Sequence, residues 1–536
     1  MPIPKGYVCL VLHAHLPFVR HPEEEHFFEE NWLFEALTET YIPLLNTFQR
    51  LSDSKLDFRF TMSLTPSLVC MLQDPLLQQR YLRHLDSLIE LAEKEVVRTR
   101  KQAGYHRLAR LYRKHFIATK NNYLEQYNKN IVAAFRHFQK LGCLEIIASC
   151  ATHGFLPNLR VNASSVEAQI RLGIASYQKT FGCEPKGFWL PECGYYPGLD
   201  DILKAAGIQY FFVDTHGLSH ATPMPQYGVY APIYCPSGVA AFGRDNVSSK
   251  QVWSAQEGYP GDADYREYYR DIGHELDYEY VKPYIHPMGS RVNTGIKYWR
   301  ITGDTDQKKI YQPRNANNKV MSHAVHFIAD RKQQIEYLAR RMDRKPIVVA
   351  PYDAELFGHW WFEGPLWLEN LARKIATEVS TIKLITPSEY LAEYPRNQIT
   401  VPSSSSWGDK GYGAFWLENT NHWIYPHLHM AGKRMQELAT RFAGNDAVQS
   451  PQSVLVKRAL NQAARELMLA ESSDWPFIMK TGTVVPYANR RVKSHINRFT
   501  HLYESVLNHT IDEAWLREIE WRDNIFSDMA CVDYYG

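Results

Sequence analysis

Two carboxylates in this sequence stand where chemistry would be done. Glu192 lies in Lys186-Gly-Phe-Trp-Leu-Pro-Glu-Cys-Gly-Tyr195, where a short apolar run ends in a proline, an acid and a small Cys-Gly pair. Such a run between turn signals reads as a buried strand. Folds that mix strands and helices gather their chemistry just past the carboxyl ends of strands. The plainer reading is an acid that caps the following helix. Asp353 repeats the arrangement in Val349-Ala-Pro-Tyr-Asp-Ala-Glu-Leu-Phe-Gly-His-Trp-Trp361. Its plain alternative is again a helix N-cap, and Glu355 reads as a surface acid of that helix.

Two carboxyls at strand ends are the minimum for breaking a glycosidic bond, one as acid and the other as nucleophile or base. At a separation of about 5.5 Å, which a retaining mechanism requires, their repulsion in an effective dielectric near 20 is about 3 kcal/mol. That is roughly two pKa units. One carboxyl would then stay protonated near neutrality, and Trp360 and Trp361 would add desolvation in the same direction.

Histidines recur at strand ends as well: His13 and His15, His153, and His216 beside Asp214. On a strand, His13-Ala14-His15 is expected to send one ring to the mouth of the site and the other away. Such a cluster could hold the metal of a metal-dependent deacetylase, and His216-x-x-x-His220 has the spacing of a helical ligand pair. The intervening Gly217-Leu218-Ser219 reads as loop, however, where that spacing loses its meaning. Neutral imidazoles also suit hydrogen bonding to sugar hydroxyls. The expectation is a site without metal or organic cofactor.

Composition narrows the partners. The 60 Lys and Arg against 58 Asp and Glu leave a net charge of +2, with no long basic run, so neither nucleic acid nor an anionic membrane is an expected partner. Aromatic residues make up 13% of the chain, which serves either a large core or stacking platforms for sugar rings. The eight cysteines are scattered without a CxxC pair and look like reduced packing residues. There is no signal-peptide pattern and no apolar run of about 18 residues, so a cytoplasmic protein is expected.

Strands must hold these groups. Seven near-continuous apolar runs, residues 7–12, 58–63, 144–149, 187–190, 210–214, 239–243 and 347–350, alternate with helical patterns, as parallel strands with crossovers do. So many ionisable strand ends at one rim favour a closed ring over an open sheet. The fold class expected is therefore α/β, with a catalytic barrel over residues 1–400. Helical spacing within it places a helical insertion at 74–141, opened by an Asp74-Pro75 cap, and a helix over 164–179 with a Ser164/Glu167 capping box. Residues 218–300 form a long interruption rich in Pro, Gly, Tyr and Arg, and 421–536 read as an all-helical C-terminal domain. Pro402-Ser-Ser-Ser-Ser406 is the one low-complexity stretch.

The ordered motifs His13-Ala-His-Leu-Pro-Phe18, Ala151-Thr-His-Gly154, Trp189-Leu-Pro-Glu-Cys-Gly-Tyr195, Ala350 to Trp361 and Trp407-Gly-Asp-Lys-Gly-Tyr-Gly-Ala-Phe-Trp416 resemble glycoside hydrolase family 57 along essentially the whole chain. The resemblance implies a (β/α)7 barrel and a retaining mechanism with Glu192 as nucleophile and Asp353 as general acid and base. It places His13, His153, Trp407 and Trp416 on the glucan and lets Asp474 close over it. It makes Tyr234 the tip of a mobile catalytic loop and names Trp253, Arg266, Arg270 and Gly295 as further glucan contacts. The first motif reads His-Ala-His where many relatives have His-Gln-Pro. The activity implied is the transfer of α-1,4-glucan chains, from amylose, amylopectin or glycogen, to 6-hydroxyls by a monomeric enzyme. An α-amylase or 4-α-glucanotransferase on the same scaffold, and a silent glucan-binding protein, are the alternatives.

Overall fold

In a computed structural model, residues 3–254, 257–442 and 450–536 are described. The central strand β1 (Gly6–Ala14) is buried along its whole length. Its side chains alternate between two apolar environments, which is why its sequence shows no polar face. Tyr7, Cys9 and Val11 point into a barrel interior filled by Ile147, Trp189, Phe212, Phe242, Ile347 and Val349. Val8, Leu10 and Leu12 point outward into the layer of helices.

The remaining strands are β2 (Phe60–Leu64), β3 (Leu144–Ser149), β4 (Gly187–Trp189), β5 (Tyr210–Val213), β6 (Ile233–Tyr234), β7 (Ala240–Gly243), β8 (Ile347–Asp353) and β9 (Ile382–Leu384). Seven run parallel in the order β7-β5-β4-β3-β2-β1-β8, each of them one of the seven apolar runs. Among the described residues β7 and β8 share no ladder. The curled sheet is joined there by a backbone bond from Asp245 N–H to Val349 C=O at 2.9 Å. The (β/α)7 barrel is thus a strongly curled sheet with one loosely stitched seam. β9 takes the edge of β1 at Gly6–Val8, below the stretch Val11–Ala14 where β2 pairs.

Between β2 and β3 the chain leaves the barrel as helices Pro75–Arg98, Ala103–Asn121 and Ile131–Lys140. The first starts where an N-cap followed by proline should start it: Asp74 Oδ1 accepts from Leu77 N–H at 3.0 Å. The capping box expected at Ser164 does not form. That helix is Ala163–Phe181, its N-cap is Asn162, and the Asn162 amide donates to the His429 carbonyl at 2.9 Å, drawn away by the packed C-terminal helices. Gly182 ends it in the left-handed conformation at φ 72°.

The C-terminal part comprises Ile424–Phe442, Pro451–Ala470, Asp474–Thr481, Val485–Leu507 and Glu513–Arg522. Their common core includes Met435, Leu460, Leu467, Val492 and Phe499. The turn between Ala470 and Asp474 is stitched to the barrel: Ser472 bridges Gly154, and Ser473 N–H donates to the His153 carbonyl at 3.0 Å. No helix among the described residues is long and apolar enough to cross a membrane.

Candidate active site

Strand register brings the site together. His13 is the Cα partner of Asp353 across the β1–β8 pair, and each continues the inward row of its own strand, Val11 to His13 and Val349 to Asp353. Asp353 opens the turn Ala354–Leu356 without a side-chain cap bond, so the helix-cap alternative does not describe it. Glu192 follows β4 in the short turn Pro191–Cys193. Glu192 (φ 60°), Cys193 (φ 51°) and His153 (φ 59°) all lie in the left-handed region. There each residue with a side chain costs on the order of 1–3 kcal/mol.

The serine run at 403–406 proves to be a strap over this turn. Tyr195 and Ser405 exchange backbone bonds at 2.9 and 3.1 Å, and Trp407 N–H donates to the Glu192 carbonyl at 2.8 Å. The strap aims the Trp407 indole, whose Nε1–H donates to Glu192 Oε2 at 2.6 Å. Ser473 Oγ donates to Glu192 Oε1 at 3.1 Å from the helical part. Among the described residues no protein group hydrogen-bonds the Asp353 carboxyl.

The histidines stack at the rim. His15 lies over His153 with ring centroids 3.8 Å apart, and His13 over Trp189 at 4.5 Å. His13 and His15 both face the cavity, contrary to the expected split. Residues two apart on a strand share a face. His13 Nδ1 meets Ser63 Oγ at 2.5 Å and its Nε2 meets His153 Nε2 at 3.0 Å. His153 Nδ1 lies 2.7 Å from Ser473 Oγ. His15 Nδ1 lies 2.9 Å from Thr65 Oγ1, and its Nε2 is 2.9 Å from Asp474.

Burial dominates the electrostatics. It pushes Glu192 up to about 7, the Trp407 donor opposing and the Asp353 charge adding. It pushes Asp353 up to about 6 against the pull of Arg244. The charge repulsion expected between the two acids is therefore secondary to desolvation. Glu355 is not a surface acid. It lines the cavity and rises to about 7 through burial, held by the Tyr41 hydroxyl at 2.5 Å. Burial drives His13 and His153 well below the ordinary imidazole range. For His15 burial acts downward, but Asp474 outweighs it and raises the ring.

These groups line one cavity of ≈ 950 Å³, with Asp214, His216 and Arg244 on one side and Trp253, Tyr268, Tyr269, Trp360, Phe415, Trp416 and Phe477 as its aromatic wall. Atoms of His15, His153 and Asp474 lie within 4.8 Å of one another, close enough for a cation. Each ring nitrogen of that pair already has a protein partner. Residues 215–219 are a short helix capped by Asp214 rather than loop. Even so, His216 Nε2 turns to the Gly411 carbonyl at 2.6 Å and not toward His220.

Four expected glucan contacts lie elsewhere. Tyr234 sits in β6 opposite Ala240, the first residue of β7. That is the amino end of the barrel, and the cavity opens at the other. Arg266 is fully buried, paired with Glu39 at 2.8 Å and stacked 4.0 Å over Phe362. Arg270 pairs with Glu275 and lies 5.5 Å over Trp299. Gly295 makes a left-handed turn (φ 74°) against Phe116. Sequence reasoning missed Ser473, whose place beside Asp474 looks like an ordinary helix cap. It also missed Arg244, which its position just after β7 could have flagged.

Residues 9–331 match the profile of glycosyl hydrolase family 57, and residues 427–534 match that of the C-terminal region of 1,4-alpha-glucan branching enzymes. A 1,4-alpha-glucan branching enzyme of Thermococcus kodakarensis is 34% identical, over 99% of this chain and 78% of its own. The crystal structure of an alpha-amylase from Thermotoga maritima is similar at 46% identity and a TM-score of 0.91, covering 99% of both chains. That of a branching enzyme from Pyrococcus horikoshii is similar at 34% identity and 0.87, covering 99% of this chain and 97% of its own. With the profile matched over more than half its length and the strand-end carboxylates in one cavity, the chain belongs to glycosyl hydrolase family 57.

Proposed function

We propose that this enzyme is a retaining 1,4-α-glucan branching enzyme, with Glu192 as nucleophile and Asp353 as general acid and base. The observation that carries the roles is the asymmetry of hydrogen bonding. Two donors grip the Glu192 carboxylate, as suits a group that must attack as an aimed anion, and none from the protein holds Asp353. Burial places Glu192 at about 7 and Asp353 at about 6, the reverse of the order these roles need, so the assignment rests on the donors and not on those two values. Asp353 protonates the glycosidic oxygen while Glu192 attacks the anomeric carbon, leaving a β-linked glucosyl-enzyme. Asp353, now a base, takes the proton from a glucan 6-hydroxyl that displaces Glu192 and forms the α-1,6 branch. His13, His153, Trp253, Trp407, Trp416 and Asp474 contact the glucan from the cavity wall. The eight unpaired cysteines suit a reducing, cytoplasmic compartment, and we take the enzyme to be a monomer that needs no cofactor.

Water in place of the 6-hydroxyl would make an α-amylase. Two observations favour that second reading: the 46% identical neighbour is described as an alpha-amylase, and Tyr234 pairs with the first residue of β7 and is not on the cavity wall. Amylose incubated with the protein separates the two. New α-1,6 anomeric signals by NMR with few new reducing ends support branching; reducing ends without α-1,6 signal support hydrolysis. Glu192→Gln abolishes both activities, and an active variant would refute the site.

A further inference from the structure

We propose that Ser473 is a positioning residue for Glu192, its hydroxyl set in direction by a relay through His153, His13 and Ser63. Ser473 is the N-cap of helix Asp474–Thr481, where a serine oxygen ordinarily accepts from the helix's own N–H groups, yet it makes no such bond. Its Oγ instead lies 3.1 Å from Glu192 Oε1 and 2.7 Å from His153 Nδ1. Its backbone N–H is tied to the His153 carbonyl at 3.0 Å, which fixes the hydroxyl over the carboxylate.

A hydroxyl has one proton to give. If Ser473 gives it to Glu192, its oxygen must accept from a proton on His153 Nδ1. His153 Nε2 is then bare and faces His13 Nε2 at 3.0 Å, so His13 carries the proton between them. His13 Nδ1 is bare in turn and accepts from Ser63 Oγ–H at 2.5 Å. Four bonds point the same way and end on Glu192. This polarity needs both rings neutral, and burial keeps them so. In the opposite polarity Ser473 gives its proton to His153, so an anionic Glu192 loses that donor, and the contact is a hydrogen bond only if Glu192 is protonated and no longer a nucleophile. The direction of the relay therefore favours one charge state of Glu192 over the other.

Ser63 and Ser473 are both buried and neither lines the cavity, so substitutions there act on Glu192 without touching glucan. The other charged or titratable groups facing Glu192 are Asp353 beyond β8, His15 beyond β1, Arg244 beyond β7 and Asp474 from the helical part.

The test is Ser473→Ala, Ser473→Thr and Ser63→Ala, with kcat and KM on amylose across pH and folding checked by circular dichroism. Losing one donor to a carboxylate should lower kcat roughly 10- to 100-fold, with KM within about twofold and the acid limb of the pH profile moved upward. Threonine, which keeps the hydroxyl, should restore most of the rate, and Ser63→Ala should lower kcat less, again at constant KM. Selective 15N-histidine spectra of the wild type should show His13 protonated on Nε2 and His153 on Nδ1. A wild-type kcat in Ser473→Ala, a raised KM at constant kcat, or the opposite tautomers would overturn the proposal. If Ser473→Ala does not fold, Ser63→Ala and the tautomers decide. The inference rests on Glu192 as nucleophile, and an active Glu192→Gln enzyme would show that reading to fail independently of the relay.

Discussion

Trp407→Phe isolates one hydrogen bond. Phenylalanine keeps an aromatic ring against Trp189, whose ring centroid is 5.1 Å away, and keeps the backbone bond to the Glu192 carbonyl. It deletes the Nε1–H donor 2.6 Å from Glu192 Oε2 and shortens the ring that Arg244 faces at 5.5 Å and His13 at 6.3 Å; only the lost donor should move the acid limb. A hydrogen bond to a charged group is worth about 1.5–3 kcal/mol, and each 1.36 kcal/mol is one pKa unit. Glu192, already pushed up to about 7, should rise by roughly one to two pKa units. At pH 7 the anionic fraction then falls from about half to roughly 10% or 1%, a loss of about 5- to 50-fold in rate. The sign is set by the role: a nucleophile works as the anion, so activity is lost as pH falls through its pKa. A higher pKa moves that acid limb upward, and the deficit shrinks as pH rises. Initial rates of α-1,6 bond formation across pH, with circular dichroism as the folding control, measure it. A uniform loss with the acid limb unmoved would refute the argument and leave Trp407 as a wall of the cavity.

Arg266→Ala should destabilise the fold by about 3 kcal/mol, because it removes the arginine partner of the buried Glu39 carboxylate and leaves His359 at 2.9 Å as its remaining ion-pair partner; a urea melt reads this, and a change under about 1 kcal/mol would contradict it. Burial alone would raise Glu39, but Arg266 and His359 outweigh it and hold it at about 2. In the wild type this group's stabilisation is therefore fully present above the unfolded carboxyl value of about 4.3 and is lost as pH falls toward 2. Removing Arg266 should weaken that acid dependence. Tyr234→Phe should leave kcat and the ratio of transfer to hydrolysis within about twofold, since its hydroxyl makes one long bond to the Pro395 carbonyl at 3.3 Å. A marked rise in reducing ends from that variant would return Tyr234 to the reaction.

The barrel was legible because strands buried on both faces leave unbroken apolar runs, and β1, β3 and β8 stand out for that reason. β6 and β9 span two and three residues, too short for any period to register. The strand-end rule found Glu192, Asp353 and His13 because register alone brings such positions to one rim. It could not find Ser473, whose neighbours in sequence advertise a helix start while its neighbours in space are His153 and Glu192. Nor could it interpret the serines before Trp407, whose low complexity resembles a linker and whose backbone serves as a strap. Tyr234, Arg266, Arg270 and Gly295 were placed by resemblance within a long irregular segment, where a small change in path moves a residue from cavity to core.

The stitching of the helical part to the barrel also sets a schedule for activity. A chain leaving the ribosome can complete every barrel strand, and even Trp407, while residues 472–474 are still unmade. Such an intermediate holds both carboxylates, but Glu192 lacks its Ser473 donor and His15 its Asp474 partner. Because one of the two donors to the nucleophile comes from so late in the chain, full activity depends on the docking of the C-terminal helices.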